Sequence, residues 1–153
     1  MNLILWRHAE AIELEPGGND LDRVLTPKGE KQAKRMSQWL DRQLPDGARI
    51  LVSPARRTEQ TALALGRKFK IRPELAPDCS VEQLLQVAQW PDEAATVVVV
   101  GHQPTLGQTI STLLGIKDGP CPVRRGAVWW LRNREREGRF QTVVLTVQSP
   151  ELL

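Results

Sequence analysis

Short apolar runs alternate along this chain with longer amphipathic stretches, and this alternation constrains the fold more than any other feature. The clearest runs are Leu3–Trp6, Arg49–Val52 and the four valines Val97–Val100. Runs of this kind are typical of strands that are buried on both faces in a parallel sheet. Two further strand-like segments, Ala127–Leu131 and Phe140–Val147, flank a polar stretch and suggest a hairpin with its loop over residues 132–139.

Four helices are predicted between the strands. The first begins at Thr26-Pro27, where a capping hydroxyl precedes a proline at the first helical position. Its apolar stripe repeats every three or four residues and ends before Pro45-Asp46-Gly47. Alternating strands and helices predict an α/β fold of three layers, α/β/α, around a mainly parallel central sheet. The other helices are predicted from Ser53-Pro54 to about Phe69, from Ser80, and over Pro104–Leu114.

The composition favours a single domain over residues 1–153. The length suits one hydrophobic core, and no long polar linker or internal repeat interrupts the pattern. No run of about 18 apolar residues predicts a membrane span, and the first residues lack the features of a signal peptide, so we expect a cytoplasmic protein. Cys79 and Cys121 are far apart in sequence, which disfavours a disulfide framework or a zinc site.

The two histidines of the chain both follow predicted strands. His8 ends the first strand, and His102 comes directly after Val97–Gly101. In open α/β sheets, ligands bind in the crevice beyond the carboxyl ends of the strands. A lone histidine is more often structural than catalytic, but two at equivalent strand ends indicate a functional site.

Two arginines are placed to bind an anion beside these histidines. Arg7 precedes His8, and Arg57 lies near the start of the helix predicted from Ser53. Helix N-termini favour negative charge, and a guanidinium adds bidentate donors that suit phosphate. Neighbouring helical residues point about 100° apart, so Arg56 and Arg57 cannot both face the crevice.

Three segments resemble, in order, the motifs of the histidine phosphatase (phosphoglycerate mutase-like) superfamily. Arg7-His8-Ala9-Glu10 resembles its Arg-His-Gly signature, with alanine where glycine is usual. Ser53–Ala62 resembles its Ser-Pro-x-x-Arg-x-x-Gln-Thr-Ala motif, which selects Arg57 over Arg56. Val100-Gly101-His102 resembles the strand that carries its second histidine. The resemblance implies a phosphoglycerate mutase-like fold, with His8 as nucleophile, Arg7 and Arg57 as phosphate ligands, and His102 beside them.

A fourth segment narrows the resemblance. Asp22–Gly29 is similar to the Arg-x-Leu-Thr-x-x-Gly segment of the small SixA-type phosphohistidine phosphatases, which implies that Arg23 contacts substrate. The implied activity is a metal-free and cofactor-free phosphohistidine phosphatase. Its expected partner is a phosphohistidine-bearing signalling or phosphotransfer protein, approached by a monomer whose small size leaves an open site.

The residue types suit this chemistry. Phosphoryl transfer needs an in-line nucleophile and donors for three equatorial oxygens. His8 must be neutral to attack, and the neighbouring charges of Arg7 and Arg57 oppose its protonation. A proton donor for the leaving group is not evident, and Glu10, Asp78 and Glu82 stay open as candidates.

Several alternatives remain at this stage. A small-molecule phosphomonoesterase of the same superfamily would use the same residues, and a non-catalytic phospho-motif binder could use the arginines but would not require His8. Asp20–Val24 matches the Asp-x-Asp-x-(Thr/Val) motif of phosphatases that use an aspartate nucleophile, but turn-forming residues precede it instead of a buried strand. Nucleic-acid binding is disfavoured because the basic residues are scattered.

Overall fold

A mixed sheet of six strands forms the centre of the computed structural model, which describes residues 1–153. The strands pair in the order β3-β2-β4-β1-β5-β6. The first four are mutually parallel, whereas β5 is antiparallel to β1 and β6 is antiparallel to β5. The predicted mainly parallel sheet is therefore confirmed. The strands are β1 (Asn2–Arg7), β2 (Arg49–Val52), β3 (Lys70–Ile71), β4 (Val97–Gly101), β5 (Val128–Arg136) and β6 (Arg139–Gln148).

Helices cover both faces of this sheet. Alternate residues of β1 point to opposite sides: Leu3 and Leu5 belong to one core cluster, and Ile4 and Trp6 to the other. The helices α3 and α4 supply side chains to the first cluster, and α1 and α2 to the second. Burial on both faces explains the continuous apolar runs and confirms the three-layer prediction. The helices are α1 (Pro27–Gln43), α2 (Arg56–Leu63), α3 (Val81–Val87) and α4 (Thr105–Leu114). None of them is both long enough and apolar enough to cross a bilayer.

Three helix boundaries follow the signals in the sequence. The Thr26 hydroxyl caps α1 by accepting a hydrogen bond from the Gly29 amide at 3.0 Å. Ser80 forms a reciprocal capping box with Gln83 at the start of α3. Gly115 ends α4 in the left-handed region, at φ 71°. Local side-chain chemistry was sufficient to predict these three ends.

The boundaries predicted for α2 were wrong at both ends. The helix begins at Arg56, and its N-cap is Ala55 rather than Ser53. The Ser53 hydroxyl is instead directed to His102, with a separation of 2.7 Å. The helix stops at Leu63, short of Phe69, because Gly66 adopts a φ of 72° and closes a turn onto the Leu63 carbonyl. Arg57 is consequently the second residue of α2.

The loop predicted over residues 132–139 is also largely wrong. β5 continues to Arg136 and β6 starts at Arg139, so the connection is the two-residue turn Glu137-Gly138. Both turn residues have positive φ, 52° and 74°, as a tight hairpin turn requires. Cross-strand pairing with β6 therefore outweighs the polar composition of this segment. Short elements that were not predicted are β3 and the one-turn 3-10 helices Asp20–Asp22, Pro73–Leu75 and Pro150–Leu152.

Candidate active site

A cavity of about 310 Å³ lies at the carboxyl ends of β1 and β4. Arg7 and Gly101 are in register on these parallel strands, so the residues that follow them, His8 and His102, emerge side by side. Their ring centroids are 5.3 Å apart, with an angle of 54° between the planes. All five residues predicted for the site line this cavity, together with six others: Arg7, His8, Arg23, Arg57, His102, then Ala11, Asp20, Pro77, Asp78, Gln103 and Arg125.

His8 presents a neutral imidazole. Its Nδ1 lies 2.7 Å from the carbonyl oxygen of Ala9, and because a carbonyl only accepts, Nδ1 carries the proton. Nε2 is therefore the unprotonated nitrogen. Burial lowers the pKa of His8 to about 4, and the charges of Arg57 and Arg7 act in the same direction. The arginines do oppose protonation as expected, but loss of hydration has the larger effect.

His102 is held by a buried serine. Its Nε2 lies 2.7 Å from the Ser53 hydroxyl, which also accepts a hydrogen bond from the Ala55 amide at 3.3 Å. Its Nδ1 is buried and has no hydrogen-bond partner within the protein. Burial lowers the pKa of His102 to about 3, with further contributions from His8 and Arg57. The ring is thus neutral at neutral pH.

Arg7 and Arg57 are each anchored through a terminal nitrogen. Nη1 of Arg7 donates to the Val123 carbonyl at 2.8 Å. Nη1 of Arg57 donates to the Asp20 carbonyl at 2.8 Å, and Nη2 donates to the Asp20 carboxylate at 3.1 Å. In both residues Nε is buried without a partner. The protein therefore fixes each guanidinium through terminal nitrogens and leaves its buried Nε–H without an acceptor.

These two Nε atoms and Nδ1 of His102 are the three buried side-chain nitrogens or oxygens that lack a hydrogen-bond partner in the structure. All three belong to residues that line the same cavity. Buried polar groups in proteins are nearly always paired, because an unpaired one costs about 1–3 kcal/mol. Their collection at one place indicates a binding site for a ligand that accepts hydrogen bonds.

The choice between the two adjacent arginines agrees with the motif. Arg56 is directed to the surface, where it pairs with Glu59 on the next turn of α2. Arg57 is only 4% exposed and lines the cavity. Arg23 also lines the cavity, where its Nε donates to the Ile12 carbonyl at 2.7 Å and its Nη1 to Asp20 at 3.1 Å.

The segment after His8 is fixed by close packing against α1 and α2. The Ala9 amide donates to Thr61 Oγ1 at 3.1 Å, and Ala9 itself is fully buried with ordinary backbone dihedrals. Alanine therefore occupies the position where the family usually has glycine without backbone strain. Gly29 in α1 lies directly against the Glu10 backbone, where an added Cβ would be 2.0 Å from the Glu10 carbonyl oxygen. Glycine at this position lets α1 support the loop that carries His8.

The sequence motifs did not assign Asp20 or Arg125 to the site, and they left the proton donor undecided. Asp20 lay within a motif that was set aside, and Arg125, which follows no recognisable motif, gave no signal. Among the candidate proton donors, Asp78 lines the cavity. The Glu10 carboxylate is engaged by the Thr26 hydroxyl at 2.8 Å and by Arg125 at 3.4 Å. Glu82 is an exposed residue of α3 and does not line the cavity.

The sequence of this chain matches a known protein family and known relatives. Residues 3–79 match the family model of the histidine phosphatase superfamily (branch 1). The chain is 31% identical to phosphohistidine phosphatase SixA of Escherichia coli over 121 residues, covering 74% of each chain. It is 34% identical to a SixA homolog of Haemophilus influenzae over 132 residues, covering 75% of this chain and 78% of that one.

A solved structure extends the comparison to the whole chain. The protein histidine phosphatase SixA complexed with tungstate superposes with a TM-score of 0.82 at 27% identity and covers 99% of both chains. The chain therefore belongs to the histidine phosphatase superfamily and has the phosphoglycerate mutase-like fold. Within that superfamily it is a phosphatase of the SixA type, as the four sequence motifs indicated.

Proposed function

We propose that this phosphatase removes phosphoryl groups from phosphohistidine in proteins, and that the group passes through Nε2 of His8. The observation that carries the proposal is the set of three unpartnered buried nitrogens, on Arg7, Arg57 and His102, beside a neutral His8. A tetrahedral oxyanion bound in the cavity is the hydrogen-bond acceptor that we propose for them. The structural relative complexed with tungstate, itself a tetrahedral oxyanion, supports this interpretation.

In the first step Nε2 of His8 attacks phosphorus. The Nε2–P bond forms and the bond from phosphorus to the substrate imidazole breaks. With its second nitrogen protonated, the substrate ring takes the electron pair and leaves as neutral imidazole. The lone pair is available because Nδ1 holds the ring proton against the Ala9 carbonyl. Charge on the equatorial oxygens is stabilised by Nε–H of Arg7 and of Arg57 and by His102.

Ser53 sets the tautomer of His102 in this scheme. A serine hydroxyl that donates to Nε2 leaves the proton of the neutral ring on Nδ1, the nitrogen without a partner. A neutral His102 then provides an N–H donor to phosphate without needing to be charged. This role agrees with its depressed pKa of about 3.

In the second step water attacks phosphorus, the Nε2–P bond breaks, and inorganic phosphate and free His8 result. A phosphohistidine substrate reduces the need for a strong acid in the first step, because an imidazole leaves more readily than an alkoxide. Of the three carboxylates named from the sequence, only Asp78 lines the cavity, and it is exposed to solvent.

The substrate class is tested by comparing kcat/KM for a phosphotransfer protein phosphorylated on histidine with kcat/KM for sugar phosphates and phosphoserine. We expect the phosphorylated protein to be preferred by at least about tenfold, a difference of about 1.4 kcal/mol in transition-state binding. His8→Ala serves as the inactive control. A preference for sugar phosphates would instead assign the chain as a small-molecule phosphomonoesterase of the same superfamily.

A further inference from the structure

Asp20 holds two of the cavity arginines at once. Its carboxylate accepts hydrogen bonds from Arg57 Nη2 and Arg23 Nη1, both at 3.1 Å. Its backbone carbonyl accepts a third bond from Arg57 Nη1 at 2.8 Å. Arg57 thus meets both the main chain and the side chain of one residue. None of the family motifs found in the sequence gives Asp20 a role.

The contacts leave the anion-binding donors free. Arg57 engages Asp20 through its two terminal nitrogens, and its Nε stays buried and unpartnered. Arg7 Nε and His102 Nδ1 also stay unpartnered, so the Asp20 carboxylate does not occupy the place of the anion. A carboxylate that occupied the anion site would be expected to accept hydrogen bonds from these nitrogens. Asp20 instead binds the guanidinium of Arg57 at its two terminal nitrogens, Nη1 and Nη2.

We propose that Asp20 is a positioning residue, which fixes Arg57 and Arg23 in the orientation that lets Arg57 Nε meet the transferring phosphoryl group. The inference rests on the proposed function, because it assigns Arg57 as a phosphate ligand. Hydrogen bonds at both terminal nitrogens restrict rotation of the planar guanidinium, so its Nε–H is oriented before substrate arrives.

The local chain is built to hold Asp20 in place. Asn19 caps the one-turn helix Asp20–Asp22 by accepting a hydrogen bond from the Leu21 amide at 3.0 Å. Desolvation raises the pKa of Asp20, but hydrogen bonds from Arg23 and Arg57 outweigh it and hold the pKa below its usual value. Asp20 is therefore an ionised partner for both arginines at neutral pH.

Asp22 offers a matched control. It lies on the same one-turn helix, carries the same charge and is exposed, with no hydrogen bond or ion pair from its side chain. The variants to compare are Asp20→Ala, Asp20→Asn, Asp22→Ala, Arg57→Ala and the double variant Asp20→Ala/Arg57→Ala. Turnover is measured with a phosphohistidine-bearing protein, anion affinity with tungstate, and folding by thermal unfolding.

We expect Asp20→Ala to lower kcat by about tenfold and to weaken tungstate binding relative to Asp22→Ala, with Asp20→Asn recovering part of the loss. In an Arg57→Ala background, Asp20→Ala should lower kcat by no more than about threefold, because Arg57 is gone and only Arg23 is left for the carboxylate to hold. A purely structural role would persist in that background. If Asp20→Ala does not fold, Asp20→Asn carries the same comparison.

The proposal is overturned if Asp20→Ala behaves like Asp22→Ala. It is equally overturned if Asp20→Ala keeps its kcat and binds tungstate more tightly, since the carboxylate would then compete with the anion for its site. Failure of the proposed function looks different: the wild-type protein would not turn over the phosphorylated protein at all, while tungstate binding would still report whether Asp20 orients Arg57.

Discussion

Arg7 and Arg57 adopt the same arrangement from opposite parts of the fold. Each donates a terminal N–H to a backbone carbonyl at 2.8 Å, that of Val123 for Arg7 and that of Asp20 for Arg57. Each also keeps a buried Nε without a partner. Arg7 ends β1 and Arg57 is the second residue of α2, so two unrelated elements present equivalent donors to one cavity. Such preorganised donors act on charge that develops in the transition state.

Arg57 and its neighbour Arg56 provide a direct test of this arrangement. Arg57→Ala should lower kcat by about 10²–10³-fold, because it removes one oriented donor from the phosphoryl group. Arg56→Ala should change kcat by no more than about twofold, since Arg56 pairs with Glu59 at the surface. Steady-state turnover of a phosphohistidine-bearing protein gives both values. Equal losses in the two variants would contradict the assignment.

The two histidines should resist protonation in the free protein. Burial disfavours the charged form of each ring and lowers the pKa to about 4 for His8 and about 3 for His102. Neither ring should therefore titrate near the ordinary value of about 6.5. Since the chain has only two histidines, their Cε1–H signals can be followed by NMR from pH 8 to 5 and assigned with His8→Ala and His102→Ala. A midpoint between pH 6 and 7 for either ring would contradict the account.

Ser53 should matter to catalysis as well as to stability. Ser53→Ala leaves Nε2 of His102 buried without its partner, which should cost about 1–3 kcal/mol of unfolding free energy. It also releases the tautomer of His102, so kcat should fall by about tenfold or more.

Ser111→Ala is the control for that variant. Ser111 is also buried and donates to the Gly119 carbonyl at 2.7 Å, but it does not line the cavity. Chemical denaturation and turnover are measured for both variants. Ser111→Ala should lose stability and keep kcat. A Ser53→Ala variant that keeps full kcat would remove Ser53 from the mechanism.

Much of the site was predictable from sequence because its key residues follow buried strands. Periodicity placed β1 and β4, and the rule for the carboxyl ends of parallel strands then placed His8 and His102 together. Arg57 needed the motif as well, because the helix signal at Ser53 was misleading: its hydroxyl bonds to His102 instead of capping α2.

The contacts that depend on loops could not be predicted. Asp20 reaches Arg57 only because the segment before α1 folds back over α2, and this path has no periodic signal in the sequence. Arg125 joins the cavity from the turn before β5, far from every motif. Pairing between neighbouring strands likewise extended the β5–β6 hairpin through a segment whose composition suggested a loop.

The central claim is that His8 carries the phosphoryl group, and trapping the phosphoenzyme tests it most directly. The protein is mixed briefly with a phosphohistidine-bearing donor and quenched in alkali, which preserves phosphohistidine. The intact mass and peptide map are then determined for wild type, His8→Ala and His102→Ala. We expect one acid-labile phosphoryl group on His8 in the wild type and none in His8→Ala. A phosphoryl group on His102, or turnover that persists in His8→Ala, would contradict the account.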